Sequence, residues 1–174
     1  MKKALLIASV LFIAVVSTAC INNIAVQELN NKAAEFMQKG DYNSAINRLE
    51  ASIDLDATMY ETYYNLGIAA TSAKSYPKAI EAFENGLKIK PDSGDFYYSL
   101  AVAQSEYADY IKEELSKDSE IEIKTTPLEL KDKAIRNLEI YLSSNPNKEY
   151  KEVAEELLKS CKNFIDENKT KTAQ

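Results

Sequence analysis

The chain has 174 residues, enough for one ordinary domain, and a net charge of −6. It contains no histidine, which excludes a Ser-His or Cys-His catalytic pair and a histidine-bearing zinc site. An acidic chain without a basic block is a poor candidate for binding nucleic acid. Its four glycines are scattered, so there is no glycine-rich phosphate loop. The sequence therefore predicts a protein that is not an enzyme and holds no metal and no cofactor.

Residues 1–19 have the organisation of a signal peptide. Lys2 and Lys3 give it a charged start, residues 4–16 are uncharged and mostly apolar, and residues 17–19 are small. The apolar run is shorter than the roughly 20 residues that a membrane-spanning helix needs. We predict that this segment is cleaved, and an uncleaved signal anchor is the alternative.

Ser17, Thr18 and Ala19 directly precede Cys20, and this end resembles a bacterial lipoprotein signal. The resemblance implies that Cys20 is lipidated and becomes the new N-terminus, anchored to a membrane. Because Ser17 stands where the usual pattern has Leu, a soluble secreted protein cut after Ala19 is the alternative. Ile21 is not the acidic residue that marks inner-membrane retention. The expected location is extracytoplasmic, on the outer membrane if the source has one.

Residues 32–57 and 65–91 follow one pattern at an offset of 34 residues, which places small and large side chains in the same order. A period of this length is typical of stacked helix pairs. The second copy carries the pattern most fully, at Tyr63, Leu66, Gly67, Tyr76, Ala79, Phe83 and Pro91. This pattern resembles the tetratricopeptide repeat. The resemblance implies an all-α, right-handed superhelix that binds other polypeptides.

The predicted organisation is a short tether at 20–25 and a repeat domain at 26–167. Three helix pairs occupy 26–59, 60–93 and 94–148, a capping helix occupies 148–167, and 168–174 form a disordered tail. The third pair contains an insert at 106–126. The helical period of this insert continues to about Ser116. An alternating stretch follows at 119–124. A new helix with a capping box is then predicted to start at Thr126, Pro127 and Glu129.

Cys161 falls on the apolar face of the predicted capping helix, with Leu157 and Phe164. This spacing predicts a small buried hydrophobic side chain. The alternative is a disulfide between Cys161 and Cys20, which competes with lipidation for the Cys20 sulfur.

The resemblance also implies a concave, peptide-binding groove along the first helix of each pair. Two tyrosines with aliphatic neighbours suit a peptide with apolar anchors, whereas the alternative is that Tyr64 and Tyr98 only pack between helices. The groove positions are Asn30, Ala34, Met37, Tyr64, Ile68, Thr71, Tyr98, Val102 and Ser105.

The sequence thus predicts a cell-envelope lipoprotein that acts as a scaffold or adaptor for an unidentified protein or peptide. Two other hypotheses remain open. The protein could be a structural component that self-assembles through its repeat ends, or an envelope protein that binds a small ligand or glycan in the tyrosine-lined groove.

Overall fold

The computed structural model describes residues 23–117 and 125–172. Within these ranges the chain forms seven α-helices and no strand, which confirms the predicted all-α fold. The signal peptide, Cys20 and the alternating stretch at 119–124 lie outside the described residues. No helix in the described ranges is both long and apolar enough to cross a membrane.

The helices follow one another with short connections. Helix α1 spans residues 23–38. The other six are α2 (Tyr42–Leu55), α3 (Tyr60–Ser72), α4 (Tyr76–Ile89), α5 (Gly94–Ser116), α6 (Pro127–Ser143) and α7 (Lys148–Thr172). Each helix from α2 onward packs against the next one, and α3 contacts α5 while α5 contacts α7. The result is a stack of three helix pairs closed by a single helix.

Close helix crossings depend on glycines that face phenylalanine rings. A β-carbon at Gly67 in α3 would collide with the ring of Phe83 in α4, and one at Gly86 would collide with Phe96 in α5. Both rings are almost fully buried. The small residues of the repeat pattern therefore create the space that the large ones fill, within a pair and between neighbouring pairs.

The third pair is longer than the first two. Helix α5 has 23 residues, whereas α3 has 13. Its extra turns bury Ala108 and Ile111 against Leu130 of α6. Helix α6 begins with the predicted capping box, in which Glu129 N–H donates to the Thr126 hydroxyl and the Glu129 carboxylate accepts from Thr126 N–H. Much of the insert thus lengthens a helix rather than forming a surface loop.

The structure differs from the predicted boundaries at both ends. Helix α1 already includes residue 23, so residues 23–25 of the predicted tether are helical. Helix α7 runs to Thr172, so the prediction of a disordered tail is wrong for residues 168–172. The Asn168 side-chain amide donates to the Phe164 carbonyl, four residues earlier on the same helix.

Candidate peptide-binding groove

The first helices of the pairs, together with α7, lie side by side and form one wall of the stack. Helix α5 contacts both α3 and α7. Helix α1 joins the wall through Asn30, whose amide donates to the Thr62 hydroxyl of α3 at 3.2 Å. The predicted groove positions lie on three helices of this wall, α1, α3 and α5.

Tyr64 of α3 is half-buried between two repeats. Its ring centre lies 6.0 Å from that of Phe83 and 5.2 Å from that of Phe96, the second in an edge-to-face arrangement. The Ser99 hydroxyl donates to the Tyr64 hydroxyl oxygen at 3.3 Å. Tyr64 therefore packs between helices and at the same time keeps part of its surface accessible.

Tyr98 of α5 belongs to a cluster of tyrosines. Its ring centre lies 5.2 Å from that of Tyr141 in α6. Burial, and to a lesser extent the nearby Tyr64, raise the pKa of the Tyr98 hydroxyl above its usual value. Burial also raises the pKa of Tyr141, with smaller contributions from Asp95, Tyr98, Tyr150 and Tyr64. The Tyr98–Tyr141 contact therefore joins α5 to α6 at the groove wall.

A cavity of about 300 Å³ opens between the first turns of α3 and α5. It has an aromatic base and a rim that carries charges of both signs. Its lining residues are Tyr60, Glu61, Tyr64, Asn65, Lys90, Ser93, Asp95 and Phe96. A concave site with aromatic walls and a few polar groups is the usual form of a binding pocket.

The Lys90 ammonium contacts an aromatic ring that lines this cavity. Its ammonium nitrogen lies 4.3 Å from the centre of the Tyr60 ring. That distance corresponds to a cation–π contact, in which the negative face of the ring attracts the positive charge. Glu61 and Asp95, each in the first turn of its helix, supply negative charge beside it.

Four other predicted groove residues remain at least partly accessible. Ala34 is exposed, and Met37, Ile68 and Val102 are half-buried. Met37 and Ile68 also pack against the core shared by the first two pairs. These positions are compatible with the predicted groove face.

Two predicted groove residues use their polar groups inside the protein. Asn30 donates to Ser52 Oγ at 2.8 Å, so its amide holds α1 against α2. The Thr71 hydroxyl donates to the Gly67 carbonyl within its own helix at 2.8 Å. Neither polar group is directed to a ligand in this arrangement.

Ser105 does not line the groove, and its assignment to the groove is wrong. It is 3% exposed, and its hydroxyl accepts a hydrogen bond from Lys131 Nζ at 2.8 Å. Cys161 Sγ lies 3.6 Å away, in the same buried network. Here α6 and α7 cover the lengthened α5. In a regular repeat, this position of the first helix is not covered. Cys161 itself is fully buried and free, as predicted for a small core residue.

The sequence prediction missed Tyr60, Glu61, Asn65 and Asp95 in the cavity. A signal for two of them was present, because Glu61 and Asp95 are 34 residues apart and stand one turn before Tyr64 and Tyr98. The participation of Tyr141 in the neighbouring cluster had no such signal, since it depends on how α6 packs against α5.

Comparisons with known proteins agree with this architecture. Models of the tetratricopeptide repeat match residues 60–93 and 33–70. The chain is 31% identical over 77 residues to the small glutamine-rich tetratricopeptide repeat-containing protein 2 of Mycosarcoma maydis, covering 44% of this chain and 22% of that protein. It is 33% identical over 79 residues to the TPR repeat-containing protein C19B12.01 of Schizosaccharomyces pombe, covering 45% of this chain and 10% of that protein. The chain thus spans less than a quarter of the length of these relatives.

Among solved structures, the TPR domain of Arabidopsis OM64 superposes with a TM-score of 0.60 at 17% identity, covering 80% of this chain and 98% of that domain. The fold is a tetratricopeptide-repeat-like superhelix, and the repeat itself is recognised across residues 33–93. Proteins built from this repeat generally mediate protein–protein interactions and are generally not enzymes.

Proposed function

We propose that the protein is an extracytoplasmic, lipid-anchored adaptor that binds another polypeptide along the wall formed by α1, α3, α5 and α7. The observation that carries the binding site is the cavity between α3 and α5, whose base is formed by tyrosine and phenylalanine rings. Aromatic side chains supply large contact area with little loss of conformational freedom, and they are enriched where binding energy concentrates.

The groove is suited to an extended peptide or a helix. The cavity at the α3–α5 junction can accept one anchoring side chain, and Ile68 and Val102 continue an apolar surface one turn beyond Tyr64 and Tyr98. Because the wall is made of rigid helices packed on a common core, the site is organised before the partner arrives.

A photoreactive residue gives a direct test of this groove. We expect p-benzoylphenylalanine at Asn65, which lines the cavity, to cross-link a discrete partner polypeptide in intact cells. The matched control carries the same residue at Glu84, which is exposed on α4. Immunoblotting against the protein should show an adduct at position 65 that is at least about tenfold stronger than at position 84, as expected when contact is limited to one face.

Two results would contradict the adaptor proposal. Equal cross-linking at positions 65 and 84 would mean that the groove is not a preferred contact surface. An adduct formed only with a second copy of this chain would instead support the hypothesis that the protein self-assembles.

The anchor proposal is based on the small residues before Cys20 and is tested by intact mass spectrometry of protein purified from its native membranes. We expect the mass of residues 20–174 plus acyl chains, because several chains are needed for stable attachment. A Cys20→Ser variant should lose the added mass and leave the membrane fraction. An unmodified mass for residues 20–174 would contradict the lipid anchor and support the soluble secreted protein.

A further inference from the structure

The rim of the cavity carries two acidic side chains. Glu61 and Asp95 occupy the same position, the second residue, of α3 and α5, and both are exposed at the cavity rim. Neither forms an ion pair with any side chain in residues 23–117 and 125–172. Their charges are therefore available to a ligand.

Helix α7 carries glutamates at positions that correspond to those of α3. Counted from the helix start, Glu149 corresponds to Glu61, Glu152 to Tyr64 and Glu156 to Ile68. All three glutamates are exposed, and Lys148 lies 3.8 Å from Glu152. Over residues 148–172 the helix carries six acids and six lysines. Because α7 contacts α5, these glutamates belong to a helix of the same wall as the cavity.

On the outer helices α4 and α6, acidic and basic residues are equal in number, whereas α2 carries Glu50 and Asp54 with Arg48. On α4, Glu81 and Glu84 are accompanied by Lys78 and Lys88. On α6, Arg136 pairs with Asp132, and Glu139 pairs with Lys162 of α7 at 3.1 Å.

The aromatic rings of the cavity favour the same kind of ligand. Tyr60 already holds the Lys90 ammonium over its face, and Tyr64 presents a second aromatic surface in the same cavity. Aromatic faces beside carboxylates bind Lys and Arg side chains well, because the aliphatic stem contacts the ring while the charge meets the acids.

We propose that the polypeptide bound in the groove is basic, with one Lys or Arg side chain entering the cavity between Tyr60 and Tyr64. Glu61 and Asp95 neutralise its charge, and the glutamates of α7 hold further basic residues of the same segment. This inference rests on the proposed function, since it specifies the partner of the same groove. Lys90 lies at the rim, where its ammonium would be displaced by the incoming cation.

Selection from a random twelve-residue peptide library tests the proposal. The full chain, held in a non-ionic detergent, is the target. We expect the enriched peptides to carry a net positive charge and to bind about tenfold or more weakly to a Glu61→Gln, Asp95→Asn variant. Binding should also weaken between low and high salt, because opposite charges at a solvent-exposed rim are screened.

The matched control removes two acids from the opposite surface. A Glu81→Gln, Glu84→Gln variant changes the net charge by the same amount and should retain the affinity of the original protein. Circular dichroism of both variants checks that the helices remain intact.

The remaining outcomes separate the two proposals. Enriched peptides that lack positive charge but still compete with cross-linking at Asn65 would contradict the proposal of a basic partner. The proposed adaptor function would remain supported. Equal losses in both double variants would also contradict the basic partner, because only net charge would then matter. If no enriched peptide competes at the groove, both the basic partner and the peptide-binding function are wrong.

Discussion

Replacement of Phe83 by alanine is expected to lower the free energy of unfolding by about 3–5 kcal/mol. The Phe83 ring is fully buried and is the contact that makes Gly67 necessary in the neighbouring helix. It also lies 6.2 Å from the ring of Phe96, so it joins the second pair to the third. Its loss would leave a cavity where two repeats meet, and neighbouring rigid helices can close such a space only in part.

Chemical denaturation followed by circular dichroism measures this effect, and Ile89 provides the control on the same helix. Ile89 is 40% exposed, so Ile89→Ala should cost far less than Phe83→Ala. A loss below about 1 kcal/mol for Phe83→Ala would contradict the packing described here, given the usual range for deletion of a buried ring.

A Lys131→Glu substitution is the second change with a large expected effect, again about 3–5 kcal/mol of lost stability. The Lys131 side chain is only 2% exposed, and its ammonium lies 2.8 Å from both Ser105 Oγ and Asp109 Oδ2. The Phe164 ring centre is 5.1 Å away. A carboxylate in this place would lose these interactions and would meet the like charge of Asp109 with little water available.

Two further variants isolate the cause. Lys133→Glu makes the same charge change two residues away at an exposed position, and it should shift stability by roughly 0.5 kcal/mol or less. Lys131→Met keeps most of the volume without the charge, and we expect a loss below about 1.5 kcal/mol because Asp109 is 59% exposed and stays hydrated. Similar losses in Lys131→Met and Lys131→Glu would contradict an electrostatic cause.

The candidate site was only partly predictable from the sequence. Tyr64 and Tyr98 could be assigned to the first helices of their pairs because the 34-residue spacing fixes their helical positions. Ser105 also occupies a groove position predicted by this spacing. It is nevertheless buried, because α5 continues and two further helices cover it. A repeat pattern predicts a residue's position on its helix, but not which extra turns will pack over it.

Sequence alone determined the helix pairs, the small and large residues at their crossings, and the start of α6. These features follow from local rules, such as the capping box at Thr126 and the steric need for Gly67 opposite Phe83. Only the tertiary structure decided that Glu61 and Asp95 share one cavity with Tyr60 and Tyr64. That arrangement depends on the angle and distance at which α3 and α5 pack, and these follow from all the side chains buried between them rather than from any single segment.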